Sequence, residues 1–127
     1  MDIARLSIKY TNHRVEDDAL VAAHRRGGID AALAQAVELA AESVRHVEKE
    51  LALISTQIFN SISVLDENLQ AGAGQQVRTL NPLGELQANG PRFDALIAMR
   101  ADRIEHLQQL IRLWRHLPAN TTAVSAT

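Results

Sequence analysis

Between Asp30 and Gln70 the sequence holds neither proline nor glycine, and its apolar residues recur at alternating spacings of four and three. Leu33, Val37, Ala40, Val44, Val47, Leu51, Ile54 and Ile58 form this row, and Val37, Val44, Leu51, Ile58 and Leu65 repeat every seven residues. An α-helix turns once in about 3.6 residues, so the spacing gathers the row into one seam that needs a partner helix. Asp30 suits the N-cap, and Gly72 with Gly74 marks the far end. At about 1.5 Å per residue this helix is roughly 60 Å long, about twice the width of a compact domain of this size. Near Ser61 the row slips by one position to Ile62 and Leu69, which predicts a local change of twist or of partner.

A second long helix is expected from Pro91, a residue suited to a first helical position, to Leu117, just before Pro118. Ile97, Ile104 and Ile111 recur every seven residues, flanked by Phe93, Leu107 and Trp114, and a second row of Leu96, Leu110 and Leu117 lies beside them. Two rows make a face wider than one partner helix requires. Residues 71–90 read as a loop, with Leu80, Leu83 and Leu86 able to pin it, and residues 119–127 read as a disordered tail.

Ahead of the long helix the reading is less decided. Residues 4–10 alternate polar and apolar, so Leu6, Ile8 and Tyr10 fit one face of a strand, yet Ile3, Leu6 and Tyr10 fit a helical stripe equally well. Thr11 or Asn12 is placed to cap a short helix over residues 14–26, which Gly27-Gly28 then ends. The expected fold class is all-α. A helical hairpin, about 30–70 antiparallel to about 91–117, follows a short N-terminal strand or turn and a short helix within one domain, 1–118. Folding the last helix back covers only part of the long one, so two hairpins are expected to associate into a bundle. In that hairpin Arg112, Arg115 and His116 approach Glu42, Glu48 and Glu50.

Composition narrows the function. Apolar residues make up 46% and aromatics only 3%, a palette of helical bundles rather than of sheets. The absence of cysteine removes disulfides, thiolate zinc sites and thiol nucleophiles. No apolar run approaches the roughly 20 residues that span a bilayer, and the first residues lack a signal-peptide layout, so a cytoplasmic protein without a membrane partner is expected. Residues 29–71 carry two basic against seven acidic side chains, which disfavours nucleic acid along the long helix.

The candidate chemistry is thin. Glu42, His46 and Glu50 share a helix face at spacings of four, but i, i+4 charge pairing on a solvated face accounts for them, and no Glu-x-x-His pair stands on facing helices. Asp102, Arg103, Glu105 and His106 point in different directions around a helix. No serine sits in a Gly-x-Ser-x-Gly elbow, and Gly72 and Gly74 follow a helix rather than a strand. No catalytic residue, cofactor site or metal site is therefore expected. Arg100 interrupts the apolar face of the last helix and is expected to reach Asp66 or Glu67, to mark a partner site, or to snorkel at the bundle edge.

The leading expectation is a non-enzymatic, homo-oligomeric interaction protein: an adaptor, chaperone or assembly component. Its partner-binding residues are Ile58, Phe59, Ile62, Leu65 and Leu69, with Trp114 as core or, failing that, as an interface anchor. Phe59 points off the seam, where a large apolar side chain calls for cover. The alternative is a DNA-binding regulator. Alternating residues, a short helix, a Gly-Gly turn and a second helix over residues 4 to about 45 resemble the ribbon–helix–helix family. That resemblance implies a strand whose Arg5, Ser7 and Lys9 enter the major groove.

Overall fold

The computed structural model describes residues 3–70 and 82–120, and among these every element is an α-helix: α1 (Ile3–Thr11), α2 (Asp17–Arg26), α3 (Gly28–Leu69) and α4 (Pro82–Arg115). The chain divides into two compact units, Met1–His46 with Arg100–Thr127, and Val47–Met99. α3 and α4 pack together as the helical hairpin expected from their patterns.

The strand expected at residues 4–10 is a helix, and the side chains show why. Ala4 and Ser7 are buried, and Ile3, Leu6 and Tyr10 pack on the core, a spacing that only a helix brings to one side. Ile8, which a strand would place beside Leu6 and Tyr10, is 43% exposed. Thr11 closes α1 rather than opening α2: its hydroxyl donates to the Ser7 carbonyl at 2.6 Å and accepts from the His13 N–H at 3.2 Å. Asn12 follows at φ 56°, a left-handed conformation that asparagine tolerates after a helix end.

α2 begins at Asp17, three residues later than expected, with Glu16 in the cap position and making no side-chain cap bond. Val15 and Leu20, both buried in one cluster, occupy the positions of a hydrophobic staple and fix the entry of the chain into this helix. Asp17 and Asp18 in its first turn and His24, Arg25 and Arg26 in its last oppose the helix dipole favourably. Gly27 and Gly28, at φ 71° and 59°, make the break before α3. α3 thus starts two residues before Asp30, and Asp30 accepts from Arg26 Nε at 2.6 Å instead of capping.

In the first unit the seam residues Val37, Ala40 and Val44 are buried together with Ala34 and Ala41. Those two alanines lie one position beyond the heptad seam and widen it, so α3 meets several elements at once. Val15, Leu20 and Ala23 from the α2 region and Leu107, Ile111 and Trp114 from α4 complete this core. In the second unit the buried face is narrower: Val47 and Ile54 pack with Leu96, flanked by Leu51, Ile58 and Phe93.

α4 departs from expectation in two ways. It begins at Pro82, so residues 82–90 are helical rather than loop, and Pro91 lies inside the helix. Pro82 provides a preset helical φ, and the residue before Pro91 is Gly90, which has no Cβ to clash with the proline ring. On α4, Leu107, Ile111 and Trp114 of the first expected row are buried together with Leu96 of the second, Ile104 and Phe93 are half-buried, and Ile97 departs from its row at 50% exposure. The helix ends at Arg115. Ala119 and Asn120, assigned above to a tail, continue the ordered chain, and the Asn120 amide donates to the Trp114 carbonyl at 2.7 Å. The remaining loop residues 71–81, with Gly72, Gly74 and Leu80, the side chains of Leu83 and Leu86, and tail residues 121–127 lie outside the described residues.

Candidate interaction surface

The distal part of α3 belongs to the second unit, and its apolar residues divide between two faces. Ile58 is half-buried against the Val47, Ile54 and Leu96 cluster. Four residues on, Ile62 is 53% exposed. Leu65 is half-buried and Leu69 is 76% exposed. The step of four from Ile54 to Ile58 is followed by another four to Ile62, which swings the row about 40° around the helix. The position a regular heptad would fill is Ser61, whose hydroxyl donates to the Gln57 carbonyl at 3.0 Å. The slip expected there from the sequence coincides with this exposure. Phe59 stands roughly 100° from Ile58 and is 68% exposed.

Trp114 is no interface anchor. At 1% exposure it is enclosed by the first unit's core and has no surface to offer a partner. The strand reading of Arg5, Ser7 and Lys9 also fails. Ser7 is fully buried, donating to the Ala4 carbonyl at 2.8 Å and accepting from the Val15 N–H at 2.9 Å, while Arg5 and Lys9 are exposed. The ribbon–helix–helix resemblance loses its strand, because α1 spends that face on the core.

Arg100 pairs with neither Asp66 nor Glu67. Its guanidinium donates to the Tyr10 hydroxyl at 2.9 Å and lies 5.8 Å from that ring, while the Gln108 amide donates to the Tyr10 carbonyl at 2.9 Å. These bonds fasten α1 to α4. Arg103 reaches Ser43 on α3. The interruption of the apolar face at Arg100 was the available sequence signal for this polar junction, but nothing in the sequence pointed to Tyr10.

Two ion pairs form that the sequence did not suggest. Glu50 pairs with Arg92 at 2.8 Å, since the early turns of α4 run beside it, and Glu38 pairs with His24 at 2.7 Å. Among the described residues, Glu42, His46 and Glu50 do not gather with any others into a group able to hold a metal ion. Burial, reinforced by the nearby Arg115 guanidinium, holds the His13 imidazole below its usual pKa. No described helix is long and apolar enough to cross a membrane.

These features define an all-α protein with a polar-fastened core in one unit and an apolar, partly uncovered helix end in the other. A scan against protein-family models and searches of the curated proteins and of the solved structures found no match to this chain.

Proposed function

We propose that this chain is a non-catalytic helical interaction protein, an oligomeric adaptor, chaperone or assembly component, that binds another protein through the distal part of α3. The observation that carries the reading is the exposure of Ile62 and Leu69 on the continuation of a seam that is buried or half-buried as far as Ile58. Residues at successive spacings of four, three and four form a ridge that an amphipathic helix covers with its own apolar stripe. Ile58 anchors the ridge to the unit's core, and Leu65 lies between the two exposed side chains. The same reading includes association of two hairpins, since a seam of this kind is satisfied by helix-on-helix packing.

Site-specific photo-crosslinking tests it. A benzophenone side chain at position 62 or 69, introduced in the native host, is expected to capture discrete adducts. The same group at Gln35, an exposed α3 position in the other unit, serves as the control. Equal yields at all three positions, or none at 62 and 69, would overturn the reading.

A further inference from the structure

Opposite the buried Val47 and Ile54, and flanking the ridge, α3 carries a second set of residues in heptad spacing: Lys49, Ala52, Thr56, Phe59, Ser63 and Asp66. Successive steps of three and four place them on one side of the helix, all within the second unit. All are exposed except Ser63, which is half-buried. The Thr56 hydroxyl donates to the Ala52 carbonyl at 3.0 Å, so its polar atom is turned back to its own helix and its methyl remains as contact surface. Asp66 accepts from the Gln70 amide at 3.2 Å, and a carboxylate retains further acceptor sites beyond that bond.

The set is complementary to itself when read backwards. Turned end for end about a point between Gln57 and Ile58, Lys49 falls opposite Asp66, Ala52 opposite Ser63 and Thr56 opposite Phe59. This is the pairing of successive layers in an antiparallel coiled coil. It sets a cation against an anion at both ends, small against small between, and an aromatic ring against a methyl at the centre. A parallel alignment would set Lys49 against Lys49 and Asp66 against Asp66. Only a second copy of the same stripe supplies this reversed order as a matter of symmetry.

We infer that a second copy of this chain docks on the outer face of α3, antiparallel and two-fold symmetric, with Phe59 of each copy seated between Ala52 and Thr56 of the other. The inference rests on the proposed interaction role and names one partner and one face for it. The stripe spans about 18 residues, roughly 27 Å, and covers well under the roughly 800 Å² per partner of a standard stable interface. The dimer is therefore weak, with a dissociation constant on the order of 0.1 mM.

Disulfide trapping in the full chain, which has no cysteine of its own, tests the register. Ala52→Cys and Ser63→Cys chains are prepared separately and mixed under mild oxidation. In the antiparallel dimer residue 52 meets residue 63 of the other copy, while two residues 52 stand roughly 16 Å apart, beyond disulfide reach. The expected result is a mixed disulfide and little homodisulfide from either chain alone. A homodisulfide from Ala52→Cys alone, or no disulfide at about 1 mM chain, overturns the inference. In sedimentation, Phe59→Ser and Lys49→Asp are each expected to weaken association about tenfold, and Lys49→Asp with Asp66→Lys to restore it. Association indifferent to these changes overturns the face assigned here. Ile62 and Leu69 flank this stripe, so the two proposals are told apart by the mass of the crosslinked adduct. Twice the chain mass is expected from the second copy, and an adduct with a different protein at positions 62 and 69 upholds the proposed function even where no mixed disulfide forms.

Discussion

Replacing Ser7 by alanine removes one oxygen atom from a fully buried position, and the structure says what that oxygen holds. It donates to the Ala4 carbonyl at 2.8 Å and accepts from the Val15 N–H at 2.9 Å. The first bond is of small consequence, because a carbonyl inside α1 keeps its helical donor. The second is not, since Val15 lies between α1 and α2 and its N–H has no helical carbonyl to return to. Leaving a buried donor unsatisfied costs about 1–3 kcal/mol, and the better helix propensity of alanine returns about 0.5 kcal/mol. The net loss expected is about 0.5–2.5 kcal/mol, or a fall in Tm of roughly 2–10 °C for a chain of this size. Ser55→Ala is the matched control: Ser55 is exposed on α3, so only propensity changes, by about 0.5 kcal/mol in the stabilising direction. Urea denaturation of parent and both variants gives the comparison, and amide exchange at Val15 should accelerate in Ser7→Ala. If the two alanine variants prove equally stable within about 0.5 kcal/mol, Ser7 is not the buried tie between α1 and α2.

Two further outcomes are expected. Leu107→Ala, at a fully buried α4 position, should cost about 2–5 kcal/mol, whereas Ile97→Ala should cost under about 1 kcal/mol by urea midpoints; the reverse order would place Ile97 in the buried row. His13 titrates below its unfolded value in the folded chain, so it stabilises fully above pH 6.5, and that contribution is lost as pH falls through 6.5 toward the folded pKa. The parent should therefore lose more stability than His13→Gln between pH 7.5 and 5.5, and parallel losses in the two chains would refute the assignment.

How much of this fold could be read beforehand depended on how many turns carried each pattern. The α3 seam repeats through several heptads, and a helix is the only structure that gathers Val37, Val44, Val47 and Ile54 on one side. Residues 3–11 offer too few turns for such discrimination. The exposure of Ile8 decides the matter, and it becomes visible only once the core is assembled. On α4 the isoleucine heptad held at Ile111 and Ile104 and failed at Ile97, because a regular repeat does not say where the adjacent row takes over the inward position. The neighbours decide, and they enclose Leu107, Ile111 and Trp114 of that row in one unit and Leu96 of the adjacent row in the other. Ala34 and Ala41 were missed for a related reason. Alanine carries little apolar signal, yet its small size is what lets other elements approach α3 closely enough to bury it.

The exposed apolar end of α3 was legible as a break in pattern rather than as a motif. The double step of four from Ile54 through Ile58 to Ile62 disturbs the heptad, and the burial of the seam weakens where it does so: Ile54 is buried, Ile58 half-buried and Ile62 exposed. A rotation of about 40° carries the apolar row partly away from the cluster that covers Ile54 and Ile58. Phe59 stood out for the opposite reason, as a large apolar residue on the polar side of a helix. Its significance depends on the small residues before and after it, because Ala52, Thr56 and Ser63 would be unremarkable without an aromatic ring to receive. Polar and small positions carry no hydrophobic periodicity, so a seam-based reading passes over them. Their order becomes informative only when the sequence is compared with its own reverse, as two-fold symmetry requires.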